Sequence, residues 1–284
     1  STDAIELAVE NNIDIIFLKA NGKPLGRVWH SRLGSITTIR RKQLFLQDSP
    51  FGLQLTKEWV SQKLDSQVKF LNKLAANRRD KRREIIKNAV TLINEQKNSI
   101  LSIDDQETVD NVRHFILGYE GAAGKVYFTT LGQLIPKQYR FQGRTRNPAE
   151  DPFNCMLNYA YGILYSNVEK ACILAGLDPY IGIMHTDNYN KRALVYDLIE
   201  MYRVMMDELV FKLFTKRQVK EEDFDRLENG YYLNREGKKI LIEAYNKHLE
   251  KKIRYRGRNI QVQNIIQYDC HEIANRILKE RISC

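Results

Sequence analysis

Cysteine is scarce. The 284-residue chain has four, Cys155, Cys172, Cys270 and Cys284, with no C-x-x-C spacing among them. That removes the spacing on which a thiolate metal site or a redox motif rests, and the four read as reduced, small core residues of a cytoplasmic protein. The neighbours Cys270 and His271 lack metal-ligand spacing, and His30, His114 and His248 have no partner pattern. No apolar run is long enough to cross a bilayer. The opening residues, STDAIELAVE, lack the pattern of a signal peptide. No internal repeat and no groove-reading helix-turn-helix signature is present. Acid is in short supply relative to base: 45 Lys and Arg against 35 Asp and Glu leave a net charge of +10. An excess of that size favours a polyanionic partner through counterion release. Hydrophobic content of 43% and charged content of 28% are those of a globular protein, long enough for one large or two modest domains.

The most structured stretch is Phe153–Arg203. Apolar residues from Phe153 to Ala175 fall at helical spacing, and the middle, YAYGILY, is apolar or aromatic on nearly every side. Such a helix is buried rather than half exposed. Asp151 and Pro152 mark its start, Gly176 its cap, and Pro179 prevents continuation. A second helix is expected from about Arg192 to Thr215. Glu169 sits in the first helix, where a carboxylate loses hydration and needs a cation or a metal; Lys170 and Lys191 are the nearby cations. Asp197 and Glu200, three residues apart, share a face of the second helix. His185 lies between the helices. If the helices pack side by side, the imidazole and the carboxylates converge, a donor set that suits Mg²⁺ or Mn²⁺ better than zinc. The plainer alternative is a paired glutamate, a packed histidine ring and two solvated acids.

Elsewhere, Thr2–Glu10 reads as a helix, Ile13–Leu18 and Pro24–Trp29 as strands joined at Asn21-Gly22, and Ser49-Pro50-Phe51-Gly52 as a joint between domains. From Leu53 onwards the character is helical. The segment GYEGAAGKVYFTTLGQLI carries two clusters of small residues expected to permit close helix packing. The run from Asn77 to Arg83 is either a solvated face or a phosphate-contacting patch. The loop PKQYRFQGRTRNPAEDPFN interleaves Arg140, Arg144 and Arg146 with aromatics, as suits phosphates and unpaired bases. Arg254, Arg256 and Arg258 form a second basic element. Tyr165, beside Glu169, is a stacking or phosphate-contacting candidate, or core.

The runs LNYAYGILYSNVEKACILAGLDPYIGIMHTD and ALVYDLIEMYR resemble the signature region of Cas1, the CRISPR adaptation integrase. The family's metal-site Glu, His and acid fall on Glu169, His185 and Glu200, with Asp197 one turn before the last. Asp197 is then an extra ligand, an orienter of His185 or a proton acceptor. The resemblance implies an α+β fold: a small N-terminal β-rich domain (1–48) followed by a large all-α catalytic domain (49–284). STDAIELAVENNIDIIFL resembles the later part of the family's β domain, so that domain is expected to be truncated here and the chain cut from a longer polypeptide, with a fused upstream domain one option. The resemblance further implies joining of short DNA fragments into a CRISPR array by attack of a 3′-hydroxyl on a phosphodiester, hydrolysis of DNA at the same site, action as a homodimer with Cas2, a Mg²⁺ or Mn²⁺ cofactor and a prokaryotic cytoplasmic location. The competing readings are a non-catalytic DNA-binding scaffold and a branched-DNA nuclease outside CRISPR.

Overall fold

Side-chain caps and close backbone approaches set most of the element boundaries. The computed structural model describes residues 1–11, 13, 15–19, 24–28, 36–76, 78–186 and 191–280. The expected turn at Asn21-Gly22, His30, Cys284 and most of the polar loop after His185 lie outside the described residues.

Helix α1 (Thr2–Glu10) is followed by an antiparallel pair, β1 (Ile15–Leu18) and β2 (Pro24–Val28), with Ile15 opposite Val28. Helix α2 (Ile36–Gln43) precedes the expected domain joint but packs on the helical core through buried Ile39 and Gln43. The Gln43 amide donates to the carbonyls of Asp178 and Ile181, both at 2.8 Å, and accepts from the Asp178 N–H at 3.0 Å. One buried glutamine thus fixes the segment leading to His185. Ser49 caps α3 (Pro50–Ala75), its hydroxyl accepting from Gly52 N, and Asp80 caps α4 (Lys81–Leu101). Helix α5 (Val109–Leu134) packs on both α3 and α4.

As expected, Asp151 caps α6 (Pro152–Leu174), its carboxylate accepting from Asn154 N at 2.8 Å, with Pro152 in the first turn. Phe153, Met156, Leu157, Leu164, Val168 and Cys172 are fully buried, which places α6 at the centre of the core. The expected single helix after it is divided. Helix α7 (Ala193–Ile199) passes through a 3-10 turn at Glu200–Tyr202 into α8 (Arg203–Thr215). The tight turn packs on α3, and the Glu200 side chain there meets a lysine of α3, as described below. Next come the hairpin of β3 (Phe224–Leu227) and β4 (Gly230–Leu233), α9 (Arg235–Leu249), the hairpin of β5 (Lys252–Tyr255) and β6 (Arg258–Gln261), and α10 (Ile265–Lys279). The fold is therefore α+β and mainly helical, with two short hairpins inserted in the helical part. The β5–β6 turn holds Arg256 at φ 45° and Gly257 at φ 79°, the two left-handed residues that a tight hairpin requires.

The glycines of α5 behave differently from expectation. A Cβ at Gly118, Gly121 or Gly124 would meet nothing within 4 Å, so these positions do not serve close packing. Gly132 does: a Cβ there would lie 2.0 Å from the Phe141 carbonyl oxygen. Phe141 in turn stacks on Phe153 with ring centroids 4.5 Å apart, which anchors the basic loop to α6. Gly132→Ala is expected to cost about 1–3 kcal/mol in urea unfolding through overpacking. Gly118→Ala, exposed in mid-helix, is expected to raise stability by about 0.5–1 kcal/mol.

Candidate active site

Tyr161 and Tyr165 on α6 form one wall of a cavity of 410 Å³. The opposite sides come from Lys63 and Gln67 of α3, Glu120 of α5, Arg144 and Arg146 of the basic loop, Met184 and His185, Tyr196, and Glu200, Arg203 and Asp207.

His185 enters from a segment anchored by a buried carboxylate. Asp197 Oδ2 accepts from the N–H groups of Ile183 (2.7 Å) and Met184 (3.2 Å), and Oδ1 accepts from His185 N (2.9 Å). The same Oδ1 lies 2.7 Å from His185 Nδ1. A carboxylate already holding three N–H donors only accepts, so Nδ1 carries a proton and donates to it, which turns Nε2 away from Asp197. Gly182 permits this fold-back: a Cβ there would sit 2.3 Å from the His185 carbonyl oxygen and 2.6 Å from Ala193 Cβ.

Glu200 is handled differently. Its Oε1 accepts from Arg203 Nε at 2.6 Å, and Lys63 Nζ lies 2.5 Å from its Oε2. The ammonium also contacts Glu120, so it sits between two carboxylates. Burial pushes the Glu200 carboxyl up, but Lys63 and Arg203 outweigh burial and hold it at about 2. Burial likewise lowers Lys63, and Glu200 and Glu120 reverse that, so its pKa is raised. Arg203 continues to the Tyr165 hydroxyl at 3.0 Å and lies 4.7 Å from the Tyr161 ring centre. Behind it, Asp207 accepts from the Tyr161 hydroxyl at 2.5 Å, and burial raises its carboxyl to about 6 despite that bond and the nearby Arg144.

The predicted residues therefore divide. His185, Glu200, Tyr165, Arg144 and Arg146 share the cavity. Glu169 is buried and ion-paired to Arg192, Nε to Oε1 2.6 Å, rather than to the expected Lys170 or Lys191, and it does not line the cavity. Asp197 and Glu200 take different partners: Asp197 holds residues 183–185 and the His185 ring, and Glu200 holds Lys63 and Arg203. Arg144 is half-buried, held by Asn154 and by Asn158 at 2.8 Å and packed over Phe128 and Tyr161, so it shapes the cavity wall rather than standing free in it. Arg146 is exposed at the rim. Arg140 faces a different groove. Arg254 is exposed on β5, Arg256 is paired with Glu272, and Arg258 lies over the Tyr268 ring. Lys63, Arg203, Tyr161 and Asp207 were not foreseen, and Glu120, a structural residue on the resemblance, lines the cavity. Only Arg203, one turn after Glu200, carried a local signal.

Two carboxylates and an imidazole backed by Asp197 are the donor chemistry of a hard divalent cation, and the Lys63 ammonium between Glu120 and Glu200 shows that a cation seats there. Among the described residues, however, no three His, Cys, Asp or Glu side chains stand together as a ligand set. Glu169 and Glu200 are instead engaged by cations of the chain itself.

Lys63→Met leaves Glu200 and Glu120 short of a buried cation and is expected to cost about 3–5 kcal/mol in urea unfolding. Asp207 has its folded pKa raised above its ordinary 3.8, so its contribution is favourable below pH 4 and is lost as pH rises through about 6. Relative to Asp207→Asn, the wild type should therefore lose stability between pH 4 and pH 7, by about 3 kcal/mol at most. A pH-independent difference between the two proteins would contradict the raised value.

Residues 1–247 match the family model described as CRISPR associated protein Cas1. The chain is 34% identical to "CRISPR-associated endonuclease Cas1 1" of Archaeoglobus fulgidus, over 99% of this chain and 84% of the relative. Among solved structures it is similar to a "Casposase bound to integration product", with TM-score 0.77 and 23% identity over 100% of this chain and 83% of that one. It is also similar to a chain of a "Partial Cas6-RT-Cas1--Cas2 complex", with TM-score 0.81 and 20% identity over 99% and 82%. The family model over residues 1–247 and the sequence match over nearly the whole chain make this chain a member of the Cas1 family.

Proposed function

We propose that the cavity carries out phosphodiester transfer on DNA, joining short fragments into a CRISPR array, with hydrolysis of DNA as the related reaction. The observation that carries this reading is that His185, with Nε2 turned away from Asp197, and an ionised Glu200 face one cavity walled by Arg203, Lys63 and Arg146 in a Cas1 chain. In the transfer, the 3′-hydroxyl oxygen of the incoming strand forms a bond to phosphorus. The bond from phosphorus to the host strand's 3′-oxygen breaks, the attacking hydroxyl gives up its proton, and the departing oxygen gains one. Water in place of the hydroxyl gives hydrolysis.

His185 and Glu200, with Glu169 released from Arg192, would hold Mg²⁺ or Mn²⁺. Such an ion neutralises charge on the phosphate and makes the attacking hydroxyl more acidic. Asp197 keeps the imidazole in one tautomer and one orientation. Arg203 and Lys63 keep Glu200 ionised and add positive charge beside the phosphate. Arg146 at the rim contacts the DNA backbone, and Tyr165, fixed by Arg203, offers a ring edge and hydroxyl to the entering strand. We further propose that the chain acts as a homodimer with Cas2. Support for this is the family membership and the likeness to the complex named above.

The test is strand joining of a short duplex into a supercoiled plasmid carrying a repeat, in Mn²⁺, with and without Cas2. His185→Ala, Glu200→Gln and Glu169→Gln should each lower the joining rate of folded protein by at least about 10²-fold, while DNA binding in EDTA stays near wild type; Glu200→Gln and Glu169→Gln also lower the melting temperature, because each breaks a buried ion pair. Joining at the wild-type rate by His185→Ala would rule out this assignment of the site. DNA binding with no joining in the wild type would favour a non-catalytic scaffold.

A further inference from the structure

The basic residues that the cavity does not use collect elsewhere. Arg82 at the start of α4, Lys137 and Arg140 of the loop, and Arg217 and Lys220 after α8 line a groove of 560 Å³. All five are exposed. Glu221 is the one acid in the lining, but Lys220 is paired with Glu222 (2.9 Å) and Arg82 lies 3.8 Å from Asp80. Lys137, Arg140 and Arg217 are the cations of the groove with no ion pair among the described residues. Its floor is rigid and apolar: Tyr139, Val219, Leu134 and Ile135 are buried, the Tyr139 hydroxyl donates to the Val219 carbonyl at 3.3 Å, and the Tyr139 ring packs edge-on against Phe214. Crowding of positive charge extends behind it, since burial and then the nearby Arg82 lower the Arg78 pKa.

A second observation comes from the backbone. Helix α8 ends in a paired closure, with Arg217 N–H bonded to Phe214 O (3.1 Å) and Gln218 N–H to Leu213 O (2.9 Å). Helix α6 ends in the same way, through Gly176 N to Ile173 O and Leu177 N to Cys172 O. The left-handed residue of this closure is ordinarily glycine. At α6 it is Gly176 at φ 79°, but at α8 it is Arg217 at φ 55°. The closure itself gains nothing from an arginine there, and the last turn already has Lys212 as its cation. A residue held at conformational cost, with its side chain on a cationic groove, points to a ligand for that side chain.

We propose that this groove binds the phosphodiester backbone of the DNA flanking the reacting end. The inference rests on the DNA reading above. Arg140 on the groove and Arg144 on the cavity are four residues apart in one loop, so their backbones are at most about 14 Å apart. That is about four base pairs at 3.4 Å per phosphate along a strand. A duplex whose end occupies the cavity therefore needs only that length to reach the groove, and the loop from Lys137 to Arg146 is the bridge between the two.

The experiment is equilibrium binding of a fluorescent duplex in EDTA across a salt series, so that no phosphodiester chemistry is needed and failure of the catalytic assignment leaves the result unaffected. Arg217→Gly should weaken binding and lower the slope of log affinity against log salt by about 1, with the melting temperature unchanged or raised because glycine suits the closure. Adding Lys137→Gln should bring the total fall in slope to about 2. Lys97→Gln, which removes a cation ion-paired with Asp65, should leave the slope unchanged. Unchanged affinity and slope in the double variant would overturn the proposal and leave the groove to an acidic protein partner. An equal fall in Lys97→Gln would also overturn it, because the effect would then be diffuse charge rather than a groove.

Discussion

The cavity depends on how Glu200 is kept charged out of water. A buried carboxylate carries a desolvation penalty of several kcal/mol, and nothing in an apolar core offsets that by itself. Here Lys63 from α3 and Arg203 from α8 converge on it, and Glu120 from α5 balances the lysine from the far side. Three helices are thereby tied at one point. The 3-10 turn at Glu200–Tyr202 is the backbone expression of that arrangement, because it packs against α3 where Lys63 rises. The pair arrangement is directional as well as stabilising: Arg203 has to lie along Tyr161 and Tyr165 to reach Glu200, which fixes both rings and the wall they form.

Asp197, only three residues earlier, meets the same problem with a different solution. Its oxygens accept from three backbone N–H groups and an imidazole, with no arginine or lysine among these partners. Those donors come from consecutive residues 183–185, so the carboxylate also moulds the segment that carries the histidine. Gln43 clamps the same segment from the other end through Asp178 and Ile181. His185 is therefore positioned by groups on α2 and α7 that lie outside its own segment. The two neighbouring acids divide the work: one arranges geometry through backbone N–H groups and an imidazole, the other arranges charge through cations.

Much of this was legible in the sequence, and the parts that were not share a cause. The apolar run of α6, its Asp151-Pro152 start and Gly176 end depend on residues close in the chain, so they could be read directly. The candidate His185 and Glu200 were visible because long motifs carry them. Lys63 was not, because on an amphipathic α3 it occupies an ordinary polar position, and only the opposing Glu120 and Glu200 make that position interior. The same holds for Asp207, whose partner Tyr161 is 46 residues away. The break between α7 and α8 has no proline or glycine to announce it. The α5 glycines looked like a packing surface, yet Gly121 and Gly124 border the cavity and only Gly132 meets backbone. In each case the deciding contact is tertiary.

Net charge, read as one number, hides a division of labour among the basic residues. Lys63, Arg144, Arg192 and Arg203 are engaged with carboxylates, amides and rings of the chain. They shape the site and contribute little to a long-range field, because acids or burial offset them. Arg256 is similarly paired with Glu272 on the surface. What remains to attract a polyanion is the set whose side chains face solvent with few acids nearby, such as Arg146 at the cavity rim and Arg140, Lys137 and Arg217 beside it. Lys137, Arg140 and Arg146 belong to a single loop, and Arg217 follows α8. The distribution of unpaired charge, rather than its total, is what the composition of this chain offers to a polyanion at the cavity and the groove.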